Sequence, residues 1–174
     1  LTKTIVAPAG IFKIMDTITI RFDKNKLPFT ILYWEQFRPE YNERTYFDLS
    51  KREIDRIENK KEKYLRHFTF KVNKPTNGLY LPMVELYETL KIGEHTIGLE
   101  LVVRFSVSKI LFGTSVQDPL ESDSYTLYEG LSIRLRTIGI QISPKIISEA
   151  PVSVVHFCKN IILPKDISFR VILS

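Results

Sequence analysis

The chain has 174 residues, the size of one ordinary domain, with 44% hydrophobic and 26% charged residues, which supplies a core and argues against intrinsic disorder. No apolar run reaches the ~18 residues of a membrane span, the first sixteen residues are a poor secretory signal, and Cys158 is the only cysteine, so an intrachain disulfide is excluded. The net charge is +5, a balance that favours polyanionic partners.

Residues 16–23, DTITIRFD, alternate apolar and polar side chains, so Ile18, Ile20 and Phe22 share one face of a predicted strand. Residues 28–35, PFTILYWE, read as a second strand. The stretch 33–47 mixes six aromatics with Arg38 and Arg44. Aromatic faces stack on bases and guanidinium groups bind phosphate, which makes Trp34 and Arg38 candidate nucleic-acid contacts. The plainer reading is that these side chains close a core.

Ser50 followed by Glu53 is a capping box, with Leu49 and Ile54 placed as a hydrophobic staple. It predicts a lightly docked surface helix over 51–65. Residues 51–74 hold nine basic and four acidic side chains, an excess equal to the net charge of the whole chain. Such a helix tracks a phosphate backbone or simply stays solvated.

HFTFKVN (67–73) returns to strand alternation, and PTNG (75–78) is a turn signal. Two longer strands, 79–90 and 95–107, are joined by KIGE as a hairpin. In the second, Ile97, Leu99, Leu101, Val103 and Phe105 share one face; Glu100, Arg104 and Ser106 share the other with Val102. A helix over 124–138 follows from Leu127, Leu131, Leu135 and Ile138, with Gly139 as its stop. The last predicted strand is 152–163, with His156, Cys158 and Asn160 on one face. The order β-β-α-β-β-β-α-β predicts one α+β domain over 1–174, mainly antiparallel sheet with two helices.

Glu100 interrupts LELVV and His156 interrupts VVHF. If their strands neighbour each other across helix 124–138, carboxylate and imidazole converge on one divalent cation, Mg²⁺ or Mn²⁺, able to polarise a phosphodiester. The plainer reading leaves Glu100 at the solvent and His156 as a hydrogen-bonded edge residue. Lys109 at a strand end suits a phosphate contact, as do Arg104 and Lys159.

The run LELVVRFSVSKILFG, a helix ending at Gly139, and VSVVHFCKNIILP together resemble the amino-terminal region of phage and plasmid rolling-circle replication initiators of the filamentous-phage type. The similarity covers roughly residues 79–165, including the Ser-x-x-Lys-x-Leu-x-Gly-like run from Ser106 to Gly113. It implies a nickase-like architecture and a cytoplasmic, DNA-binding replication protein. It also implies an endonuclease that nicks one strand of single-stranded or hairpin origin DNA through a tyrosine nucleophile, assisted by a divalent metal. The chain departs from the pattern in two respects. HFC (156–158) carries one histidine where many such nickases carry two, and no tyrosine here matches the nucleophile, which is expected beyond residue 174. On this reading the chain is the amino-terminal part of a longer protein and does not nick alone. Two alternatives remain: a non-catalytic nucleic-acid-binding module, and a phage accessory protein that binds another protein.

Overall fold

The structure, a computed structural model, describes residues 15–36, 44–59, 64–70, 78–114, 117 and 119–157. Seven strands and four α-helices occur among them: β1 (Met15–Asp23), β2 (Thr30–Ile31), α1 (Lys51–Glu58), β3 (Arg66–Thr69), β4 (Met83–Lys91), β5 (Thr96–Ser106), α2 (Val107–Phe112), α3 (Ser124–Thr137), β6 (Ile140–Gln141), α4 (Pro144–Glu149) and β7 (Val152–Phe157). The class is α+β. A five-stranded antiparallel sheet runs in the order β3-β4-β5-β1-β7, and β2 pairs with β6 in a separate ribbon.

The alternation in β1, β4 and β5 divides the sheet into two faces. Ile18, Ile20, Phe22, Val84, Leu86, Leu101, Val103 and Phe105 form one buried cluster. The buried stripes of three helices pack on it: Val107 and Ile110 from α2, Leu127, Leu131 and Leu135 from α3, and Ile147 from α4. Each leucine of α3 that is withdrawn from water contributes up to about 2 kcal/mol. Helix α1 docks on the same side through a smaller cluster of Leu49, Leu65 and Leu90 with Ile54 and Ile57. The capping box forms as the sequence predicts, with Ser50 accepting from the Glu53 amide and Glu53 accepting from the Ser50 amide. All four described helices therefore lie on one side of the sheet.

Several boundaries differ from expectation. The segment 28–35 makes only a two-residue strand before a 3₁₀ turn at Trp34–Gln36. The chain beyond Ser106 turns into a helix, since the Ser106 hydroxyl caps Lys109 and Gly113, at φ 74°, ends it in the left-handed conformation. Helix α4 is additional to the two helices that the sequence predicts; Ser143 caps it and Pro144 occupies its first turn. The described part of α1 is shorter than 51–65. The strands of Glu100 and Glu85 are neighbours, but those of Glu100 and His156 are not: β1 is inserted between β5 and β7. No described helix is long and apolar enough to cross a membrane.

Candidate nucleic-acid interface

Directly opposed residues of an antiparallel pair share a face. The register therefore gathers Thr17, Thr19, Arg21 and Asp23 of β1 on the side away from the helices. They stand with Glu100, Val102 and Arg104 of β5, Met83, Glu85 and Tyr87 of β4, His67 of β3, and Val154 and His156 of β7. The middle of this face, Thr19 and Val102, is buried, and the Thr19 hydroxyl has no hydrogen-bond partner among the described residues. Met83, Arg104, Val154 and His156 are exposed around it.

Glu100 and His156 share this face but not a site. Glu100 is registered to Asp23 and His156 to Thr17, the two ends of β1. Six residues of strand separate those positions by about 20 Å, before the width of the sheet is added. The expected shared cation site is thus corrected by the register: no single ion spans the two side chains. Glu100 is instead held by Arg21, whose Nη1 donates to Oε1 at 2.7 Å. That bond, opposed by partial burial, raises the Arg21 pKa above its ordinary value. Among the described residues no group of three or more His, Cys, Asp or Glu side chains is placed to hold a metal.

The structure does bring Arg104, Lys109 and His156 to one end of the sheet. There β5 passes into α2, and Ser106 and His156 flank Thr17 of β1 from either side. Arg104 is registered to Thr19 on one side and Met83 on the other, and is exposed without a hydrogen bond or ion pair among the described residues. From the register, its Cα and that of His156 lie about 12 Å apart. Lys109 is half-buried, with Nζ 5.4 Å from the centre of the Tyr80 ring. The Tyr80 hydroxyl in turn accepts from the Ser106 amide at 2.8 Å. Trp34 lies elsewhere: it packs half-buried against the main core, with Lys24 Nζ 5.9 Å from its ring. Arg38 and Lys159 lie outside the described residues.

The acids of this face have local partners. Glu100 meets Arg21, Asp23 meets Lys91 Nζ at 3.4 Å, and Glu85 meets both His67 and Tyr87. The last grouping is one that the sequence reading misses. Tyr87 donates to Glu85 Oε2 at 3.1 Å, and His67 Nε2 lies 3.5 Å from Glu85 Oε1. The His67 and Tyr87 rings stack with centroids 4.3 Å apart and planes 6° apart. Tyr64 adds a third ring, 4.3 Å from Tyr87, and its hydroxyl lies 3.4 Å from Arg21 Nη1. Burial, then the Glu85 charge, push the Tyr87 phenol up to about 12. The signal in the sequence is the alternation of 85 and 87 with buried Val84, Leu86 and Glu88; the partner His67 becomes visible only with the β3–β4 register.

A second arrangement lies on the helical side. Glu88, 1% exposed, is held by Arg66, with Arg44 Nη2 at 3.7 Å. Arg44 also donates to Glu53 at 2.8 Å, so the cap of α1 is tied to the sheet through one guanidinium.

Compared with models of known protein families, with curated proteins and with solved structures, the chain matches none.

Proposed function

We propose that this chain is the DNA-binding, amino-terminal part of a rolling-circle replication initiator, and that single-stranded or hairpin DNA lies against the helix-free face of the sheet. The observation that carries the reading is Arg104. It is an exposed guanidinium without a partner among the described residues, on a face where Glu100 and Asp23 are paired with Arg21 and Lys91. An exposed guanidinium there is suited to contact with a phosphate, and Lys109 and His156 stand at the same end of the sheet. The similarity of residues 79–165 to the initiators supplies the rest: a nicking step in the full-length protein and a divalent cation, Mg²⁺ or Mn²⁺. Glu100 and His156, registered to opposite ends of β1, do not share such an ion.

The test is fluorescence anisotropy with labelled single-stranded and hairpin oligonucleotides over a range of salt. Binding that weakens steeply with salt, and weakens further in Arg104→Ala, is the expected result. Negligible affinity at low salt ends the reading.

A second reading is favoured by the Arg21–Glu100 pair. With that carboxylate engaged by a guanidinium, the face acts as a nucleic-acid-binding surface without metal chemistry. Titration with Mn²⁺ separates the two, since only the nicking reading expects saturable binding that a chelator reverses.

A further inference from the structure

We propose that His67 is a base-stacking residue, and that an unpaired nucleobase extends the stack of Tyr87 and His67. The inference rests on the reading of the chain as a single-strand DNA-binding domain and names where on the sheet a base is held.

Three observations carry it. The Tyr87 and His67 rings are nearly parallel, 6° apart at 4.3 Å, so the outer face of the imidazole has the orientation that a third planar ring needs. His67 sits on β3, the edge strand of the sheet, directly opposite Tyr87, so its second face looks away from the sheet. Its side chain is 44% exposed, and the second face has no aromatic neighbour among the described residues. Finally, the ring is held. Glu85 lies against Nε2 and Tyr87 against one face, so little ordering remains to be done when a base arrives.

The site fits a base better than an apolar peptide side chain. Its rim is polar, with Glu85 and Thr69 beside the rings, and the exposed surface is a single flat ring rather than a pocket. By the register, His67 and Arg104 lie about 16 Å apart on the same face, a span that a few nucleotides of single strand cover. Stacking at His67 and phosphate contact at Arg104 then act on one strand, the first with little regard to sequence and the second with strong dependence on salt.

The experiment uses the whole chain and oligonucleotides carrying 2-aminopurine at successive positions. One position is expected to be quenched on binding to the wild type, and a 5-iodouracil at that position is expected to photocrosslink to a peptide containing His67 or Tyr87. His67→Ala weakens single-strand binding roughly five- to a hundredfold and removes the quenching, with the salt slope unchanged. His67→Phe, which keeps the ring and gives up the Glu85 contact, retains both. Absence of any DNA binding by the wild type overturns the proposed function itself. DNA binding with no quenched position and no crosslink in the wild type overturns this inference alone, whether or not the variants fold. Equal affinity and quenching in His67→Ala overturns it too.

Discussion

Arg21 of β1 donates to Glu100 of β5 across the sheet at 2.7 Å, and Tyr64 lies 3.4 Å from the same guanidinium nitrogen. The side chains are 33% and 22% exposed, so water screens part of their attraction. A double-mutant cycle of Arg21→Ala and Glu100→Ala, followed by urea unfolding, is expected to give a coupling of about 0.5–1 kcal/mol. No measurable coupling would mean that the contact is incidental.

Glu88 is the buried charge of the helical side, and it serves two arginines. Glu88→Ala leaves Arg66 and Arg44 without their shared carboxylate and is expected to destabilise by about 3 kcal/mol. Thermal or urea unfolding checks it. A loss under 1 kcal/mol would show that both guanidinium groups reach water when the acid is removed.

The Glu53 carboxyl is lowered to about 2: burial opposes the shift, but bonds from the Ser50 amide and hydroxyl and from Arg44 outweigh it. A folded-state pKa below the unfolded value of about 4.5 makes its contribution complete above that value. The contribution then fades as pH falls towards 2. Glu53→Gln is therefore expected to flatten the acid limb of a stability–pH profile between about pH 5 and pH 2 and to leave the neutral limb parallel. A profile that keeps the wild-type slope through that window would remove Glu53 from the account.

Arg104→Ala is expected to leave unfolding within about 0.5 kcal/mol of the wild type, since the side chain is exposed and makes no ion pair among the described residues. Its effect falls on DNA. Without the Arg104 guanidinium one fewer phosphate is neutralised, which reduces the slope of log affinity against log salt by about 0.7 for a single strand. Anisotropy titrations at three or more salt concentrations read it, and an unchanged slope would place the DNA elsewhere.

Gly139 follows α3 at φ 78°, and a Cβ there would lie 2.1 Å from the Tyr33 ring. Gly139→Ala is expected to destabilise by about 1–3 kcal/mol, because the left-handed backbone is strained for alanine even if the half-exposed tyrosine swings aside. The companion change Tyr33→Ala separates the two effects. If it restores full stability to Gly139→Ala, collision with the ring was the whole cost.

Local signals in the chain are strong where one element decides its own shape. The capping box at Ser50 and Glu53, the leucine spacing of α3 with Gly139 behind it, and the alternation of β1 and β5 all read correctly, because caps and periodicity act over a turn or two. Helices α2 and α4 escape, since six residues give too short a window for a helical period, and the first continues an apolar strand without a break. What sequence does not supply is strand order. Placing Glu100 and His156 on one face follows from parity alone. Placing them near each other requires β5 and β7 to be adjacent, and nothing local to either strand announces that β1 will slip between them. The ladder of His67 and Tyr87 is hidden for the same reason, being a contact between strands rather than within one.

The position of β1 also bears on how the chain reaches its final form. Ile18 takes Phe105 on one flank and Val155 on the other, so the earliest described strand waits for its second neighbour until the chain has been made past residue 155. Until then an apolar ribbon has an open backbone edge, the state from which nascent chains associate wrongly. Such long-distance closure makes for slow assembly. Moving β1 by circular permutation to follow β7 would shorten that wait.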